Sequence, residues 1–217
     1  MTTPALHPLL AGLTLGAIAL ASCSEPPPAP SAPAPAAAPV APAPAPVDAF
    51  LARIAEHCGQ AFEGRIVANE PPVQDDAFAG KALVMHVRGC GERRLEIPFH
   101  VGQDRSRTWV LTRTEGGLRL KHDHRHNDGS PDAVTMYGGE TADAGTPQRQ
   151  AFPVDAESVA LFRGQGLDAS VTNTWAMEIE PGARFLYELS RPGGRLFQVE
   201  FDLGRPVAAP PAPWGHE

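Results

Sequence analysis

Apolar and polar residues alternate along two parts of this chain, and this alternation restricts the fold more than any other feature. In residues 94–100, Leu95, Ile97 and Phe99 alternate with polar side chains, and residues 175–203 repeat the pattern over three further segments. A period of two places one set of side chains on a buried face of a strand and the other set on a solvated face. The sequence therefore predicts antiparallel sheets with one apolar face.

The turn residues divide these two parts into strands. Segments 81–88, 93–100, 107–114 and 118–126 are predicted strands separated by glycine-rich turns, and segments 175–179, 185–189 and 197–203 are separated by Pro-Gly turns. Seven or eight antiparallel strands predict a mainly β fold: an antiparallel meander barrel, a half-barrel or a two-sheet sandwich. The pattern does not distinguish these three.

Two helices are expected beside the strands. Residues 48–58 carry apolar residues on one face, with Asp48 as the cap and Gly59 as the end. A short helix is predicted at residues 155–162, within an otherwise irregular segment, 127–171. Large aromatic residues on the strands are expected in the core: Trp109, Trp175 and Tyr187.

The amino terminus has the pattern of an export signal. Residues 9–20 form a 12-residue apolar run, which is shorter than the roughly 20 residues that span a bilayer. The next residues, Leu20-Ala21-Ser22-Cys23, resemble the lipobox of bacterial lipoproteins. The resemblance implies a signal peptide at residues 1–22, diacylglycerol on the Cys23 thiol, and a membrane partner. Ser24, rather than an aspartate, then favours the outer membrane over the inner membrane within the cell envelope.

A spacer separates this signal from the predicted domain. Residues 23–46 follow the cleavage site, and 25–46 consist almost entirely of proline and alanine, with ten prolines. Such a composition favours extended polyproline II structure of about 3.1 Å per residue, or roughly 60 to 70 Å in all. We therefore expect a lipidated tether at 23–46, a single domain at 47–205 and a disordered tail at 206–217.

The charge of the chain restricts its partners. The formal net charge is −7, and residues 47–217 carry 24 acidic against 18 basic side chains. Binding of nucleic acid depends on neutralising phosphates with Lys and Arg. We therefore expect no nucleic-acid partner.

Two cysteines remain besides Cys23. Cys58 and Cys90 form an even pair, and disulfides persist in oxidising compartments. We predict a Cys58–Cys90 disulfide. A redox pair or a soft copper site is the alternative, although the two thiols lack the CxxC spacing.

A histidine cluster is the one candidate for site chemistry. His122, His124 and His126 share one face of a predicted strand, where neutral imidazoles could bind Zn²⁺ or Cu²⁺. The outer pair would be about 13 Å apart, so we expect two of them plus a further ligand. Candidates for that further ligand are His86, His100, Asp123, Asp128 and Asp132. The competing interpretation is a solvated hairpin end beside the turn at 127–129.

Two classes of function follow from these features. One is a non-catalytic binding or structural module, anchored to the membrane outside the cytoplasm. The other is metal binding, or a metal-dependent enzyme, through the histidine cluster. Whether the histidines face a concave pocket with a third ligand separates the two classes.

Overall fold

A computed structural model describes residues 45–73 and 76–217. The predicted signal peptide, Cys23 and almost all of the tether lie outside these residues. Within them, eleven strands form one antiparallel sheet: β1 (Ala61–Glu70), β2 (Leu83–His86), β3 (Gly89–Cys90), β4 (Arg94–Val101), β5 (Asp104–Arg113), β6 (Leu118–His124), β7 (Tyr137–Glu140), β8 (Arg149–Pro153), β9 (Thr174–Glu180), β10 (Arg184–Arg191) and β11 (Arg195–Val207). The helices are α1 (Pro46–Ala55), α2 (Ala156–Gly164) and a 3-10 helix (Asp168–Thr172).

The sheet curls into a nearly closed barrel, which confirms the predicted mainly β meander. The strand order is β7-β6-β5-β4-β2-β1-β11-β10-β9-β8, with β3 paired to β4 beside this path. An isolated bridge between Gly139 and Val154 joins the two ends of the order. A side chain at Gly138 would collide with the Leu120 carbonyl, and one at Gly139 with the Pro153 carbonyl. Glycine therefore permits the close approach that forms this seam.

Helix α1 closes one end of the barrel. Its own apolar side chains, Val47, Phe50, Leu51 and Ile54, are buried. The helix begins at Pro46, and Ala45 is the cap residue without a side-chain bond, so the prediction of Asp48 as the cap was wrong. Proline suits the first helical position because its missing N–H would be unpaired there. Asp48 instead pairs with Nε of Arg113 over 2.6 Å.

The predicted disulfide is confirmed. Cys58 and Cys90 are bonded, and Gly59 has a φ of 80° just after the helix. The bond joins the chain that leaves α1 to β3. It therefore fixes the closed end of the barrel to the sheet.

Helix α2 and the 3-10 helix lie at the other end. The carboxylate of Asp155 accepts a hydrogen bond from the backbone N–H of Ser158 over 2.8 Å, which caps α2. The short helix predicted at 155–162 is confirmed with a shift of its bounds. Phe162 from α2 and Leu167 after it line the opening at this end. Among the described residues, no helix is long and apolar enough to cross a bilayer.

Four strands were not predicted. One is the two-residue β3, which lies in a predicted glycine-rich turn; the others are β1, β7 and β8. Strand β1 alternates only weakly, since Gly64 stands where its pattern would need a side chain and a Cβ there would meet the ring of Phe201. Strands β7 and β8 contribute four and five residues from the segment that was expected to be irregular. Their pairing depends on distant partners, which local periodicity does not contain.

The carboxyl-terminal residues also differ from the expected disordered tail at 206–217. Strand β11 continues to Val207. Beyond it, the Trp214 N–H donates to the Arg105 carbonyl over 3.1 Å, and Arg105 donates to the Ala212 carbonyl over 2.9 Å. These hydrogen bonds join residues 208–217, which we call the strap, to Arg105 on β5.

Candidate ligand-binding site

A cavity of about 310 Å³ lies inside the barrel at the end opposite α1. Aromatic rings form much of its wall: Phe78, Phe99, Trp109, Tyr137, Phe162, Trp175, Tyr187 and Phe197. Nine polar side chains also line it: Arg107, Thr108, His122, His124, Asp132, Ser170, Asn173, Arg191 and Arg195. A concave site that combines aromatic side chains with convergent polar groups is typical of small-molecule binding. We call it the mouth cavity.

Stacked rings form one wall of the mouth cavity. Trp109 stacks on Tyr187 at 4.5 Å and on Phe99 at 4.8 Å between ring centroids. Trp175 packs beside His122 at 5.1 Å. The predicted burial of Trp109, Trp175 and Tyr187 is confirmed, since each exposes 7% or less of its surface. The same side chains also line the cavity. They therefore belong both to the packed core and to the wall of the candidate site.

His122 is buried in this wall with both ring nitrogens engaged. Its Nδ1 donates to the Tyr137 carbonyl over 3.2 Å, because a carbonyl can only accept. Nε2 of the neutral ring therefore accepts from the Tyr187 hydroxyl over 2.9 Å. Burial, followed by the nearby His124, lowers the pKa of His122 to about 3. The imidazole is thus neutral at physiological pH.

His124 lies beside it, nearer the opening. Its Nε2 is 3.2 Å from the Tyr137 hydroxyl. Burial, followed by the charge of Arg107, lowers the pKa of His124 to about 4. Burial also raises the pKa of Tyr137 to about 12. The phenol and both imidazoles are therefore uncharged near pH 7.

The predicted histidine cluster is only partly brought together. His122 and His124 both face the cavity, as their spacing predicted, but β6 ends at His124. The side chain of His126 is 56% exposed and lies 3.9 Å from Asp132. His86 and His100 lie on other strands and do not line the cavity. Asp123 and Asp128 bond to other groups near the strand end.

This geometry does not favour a metal centre at the histidines. Among the described residues, no group of three or more His, Cys, Asp or Glu side chains is arranged to hold a metal ion. The lone pair on His122 Nε2 accepts from Tyr187, which would have to withdraw before that nitrogen could bind a cation. Zn²⁺ or Cu²⁺ binding stays a prediction from the sequence. Calorimetric titration of a His122→Ala, His124→Ala double variant against the wild type tests it.

Sequence reasoning missed the arginines at the opening. Arg107 bonds to Asp104 over 2.5 Å and lies over the ring of Phe78 at 5.5 Å. Arg191 and Arg195 end β10 and begin β11. The alternation contained the signal, because Arg191 continues the inward series of Tyr187 and Leu189. If the two-residue alternation is continued past the last apolar residue of each strand, it places both arginines on the inward face at the opening.

A second, larger groove of about 720 Å³ runs along the outer surface between β1, β10 and β11. Most of its charged side chains are paired with one another, including Arg65 with Glu200 and Arg205 with Asp202. Paired, solvated charges leave little for a ligand to satisfy. We therefore regard the mouth cavity as the stronger site.

Comparison with known proteins gives no further guide to the site, since no protein-family model, curated protein or solved structure matches this chain.

Proposed function

We propose that this protein is a lipid-anchored binding protein of the cell envelope, and that it holds a small molecule with a planar, apolar body in the mouth cavity. The stacked wall of Trp109, Tyr187 and Phe99 is the observation that supports it. A planar ligand ring that packs against these side chains gains both apolar burial and aromatic contact.

The polar groups of the cavity support binding rather than chemistry. His122 is held between Tyr137 and Tyr187 by two hydrogen bonds. Its low pKa keeps it uncharged, so it contributes an aromatic surface to the wall. In this arrangement, rigid groups orient a ligand that enters from the open end.

The proposed location rests on the amino-terminal sequence. Lipid on Cys23 would anchor the chain, and the tether would hold the barrel at a distance from the membrane. Mass spectrometry of the mature protein should find an acylated Cys23 at its amino terminus. An unmodified Cys23 thiol would contradict the anchoring, and a Cys23→Ser variant should leave the membrane fraction.

The binding proposal is tested with the neutral dye N-phenyl-1-naphthylamine, whose fluorescence rises in apolar surroundings. Residues 24–217 are used, which keep the compact unit formed by 42–217. We expect saturable binding that a Leu189→Trp variant abolishes, because Leu189 lines the cavity and the larger ring would fill it. Val67→Trp, at an exposed position, is the matched control. Absent binding, or equal binding in the wild type and Leu189→Trp, contradicts the proposal.

A further inference from the structure

We infer that the ligand of the mouth cavity carries an anionic group, a carboxylate or a phosphate, which binds the guanidinium groups of Arg191 and Arg195. The inference rests on the proposed function and specifies its ligand class: an amphipathic organic anion. The two arginines, together with Asn173, form what we call the rim row.

The strand register places these three side chains side by side. Arg191 is directly paired with Arg195 between β10 and β11. Ser190 is paired with Thr174 between β10 and β9, so the next position of the same register sets Asn173 opposite Arg191. Directly opposite side chains have Cβ atoms about 4.5–5.5 Å apart. The rim row therefore crosses three neighbouring strands at the opening of the cavity.

The charge of the rim row has no carboxylate partner in the part of the chain that the structure describes. Of the described residues, no carboxylate lies within 4.0 Å of the guanidinium of Arg191 or Arg195. Arg195 donates to the neutral amide oxygen of Asn69 over 2.7 Å. Like charges placed directly opposite each other destabilise a sheet. Burial, followed by the charge of Arg195, accordingly lowers the pKa of Arg191.

Other arginines of the same sheet have carboxylate partners. Arg149 binds Glu178 and Glu188 at 2.5 and 3.0 Å, and Arg184 binds Glu178 at 2.8 Å. The sheet thus pairs its outward arginines with glutamates, while the rim row contains two cations and an amide. A ligand anion would supply the missing countercharge.

Within residues 45–73 and 76–217, two buried atoms of the rim row also lack hydrogen-bond partners. Nε of Arg191 is a donor without an acceptor, and Oδ1 of Asn173 is an acceptor without a donor. Asn173 is only 5% exposed and lines the cavity. Burying a polar group without a hydrogen-bond partner is unfavourable. An anionic oxygen satisfies the guanidinium, and an adjacent O–H or N–H of the ligand satisfies the amide.

The spacing along β10 indicates the size of the ligand. Four residues separate Tyr187 in the stacked wall from Arg191 in the rim row, which is about 13 Å along a strand. Leu189 lies between them and lines the cavity, so an apolar body packed on Tyr187 would extend past Leu189 towards Arg191. Of the other charged groups that line the cavity, Arg107 is paired with Asp104, and Asp132 accepts a hydrogen bond from the Val134 N–H.

Two dyes with one skeleton test the inference. The anionic 8-anilinonaphthalene-1-sulfonate and the neutral N-phenyl-1-naphthylamine differ in the sulfonate alone, and both are titrated into residues 24–217. We expect the anionic dye to bind at least about ten-fold more tightly. Arg191→Gln and Arg195→Gln should each weaken the anionic dye by about ten-fold more than the neutral dye. Arg205→Gln, at a side chain that is 87% exposed, is the control and should change neither.

The outcomes separate this inference from the proposed function. Equal affinity for the two dyes, or an Arg191→Gln variant that weakens both equally, overturns the anion site and leaves the binding function standing. Failure of both dyes to bind overturns both. A misfolded variant is recognised by its thermal midpoint. We expect Arg191→Gln to keep or raise that midpoint, because it removes a repulsive buried charge.

A displacement series then distinguishes the two kinds of anion. 2-Naphthoate, 2-naphthyl phosphate and the neutral 2-naphthol compete for the bound anionic dye. Stronger displacement by the naphthoate identifies a carboxylate site, and stronger displacement by the phosphate identifies a phosphate site. Displacement by 2-naphthol as strong as that by either anion overturns the inference.

Discussion

The Tyr187 hydroxyl donates a hydrogen bond to Nε2 of His122 over 2.9 Å inside the barrel wall. The opposite ring nitrogen donates to the Tyr137 carbonyl, so the imidazole is fixed in one neutral form. Both side chains line the mouth cavity. This bond therefore joins the packing of the core to the shape of the candidate site.

Removing the donor should destabilise the fold without removing the cavity wall. In Tyr187→Phe, Nε2 of His122 loses its partner in a buried place, which costs about 1–3 kcal/mol. Urea unfolding at pH 7 measures this loss. Binding of N-phenyl-1-naphthylamine should persist, because the phenyl ring keeps its stack on Trp109. Unchanged stability would show that the hydrogen bond contributes nothing net.

The buried histidines predict acid sensitivity. Burial lowers the pKa of His100 and His124 to about 4 and that of His122 to about 3. In the unfolded chain they protonate near pH 6.5, so below that pH the unfolded state binds more protons than the folded state. The contribution of these neutral histidines to the free energy of unfolding is therefore fully present above pH 6.5. It decreases towards pH 4, by up to about 1.4 kcal/mol per pH unit for each histidine.

Urea unfolding at pH 7 and pH 5 checks this dependence. A His100→Gln variant should lose part of this pH dependence, because glutamine does not take up a proton in the unfolded chain. His126→Gln, at an exposed side chain, is the control and should keep the wild-type slope. A wild-type stability that is equal at the two pH values would contradict the prediction.

Closure of the barrel should depend on one glycine. In Gly139→Ala the new methyl group meets the Pro153 carbonyl across the β7–β8 seam, and overpacking of this kind costs roughly 1–3 kcal/mol. Gly164→Ala in α2 is the matched control, because nothing lies within 4 Å of the added methyl. Alanine favours a helix by up to about 1 kcal/mol over glycine. We expect thermal midpoints to fall in the first variant and not in the second.

The same seam shows where sequence reasoning ends. Alternation predicted β4, β5 and β6 and the inward direction of His122 and His124, because a period of two is a local property. Alternation did not predict β7. Glycine is needed at position 139 because of the Pro153 carbonyl, and the two residues meet only when the barrel closes. The rim row was missed for a related reason: the inward face was sought among apolar residues alone.

The disulfide should stabilise the closed end of the barrel. Cys58 and Cys90 are 32 residues apart, and a crosslink of that length contributes about 2–4 kcal/mol. Reduction should lower the thermal midpoint of the wild type and leave that of a Cys58→Ala, Cys90→Ala variant unchanged. Thiol labelling of the unreduced, denatured protein should find neither sulfur free. Full labelling of both would refute the bond.

The strap should contribute to stability although its sequence predicts disorder. His216 lies 2.9 Å from the carboxylate of Asp123, a side chain that is 7% exposed, and Trp214 is bonded to Arg105. Deleting residues 213–217 removes both contacts and uncovers a carboxylate that then depends on Arg125 and Thr135. The loss of such bonds predicts a decrease of about 1–3 kcal/mol in the free energy of unfolding.

Urea unfolding of the truncated chain measures the contribution of the strap, and hydrogen exchange at the Trp214 amide in the wild type gives an independent readout. Deletion of the exposed Glu217 alone is the control, and its stability should equal that of the full chain. Slow exchange at Trp214 is expected because its N–H is bonded to the Arg105 carbonyl. Fast exchange together with unchanged stability of the truncated chain would mean that the strap is detached in solution, as its proline-rich sequence predicts.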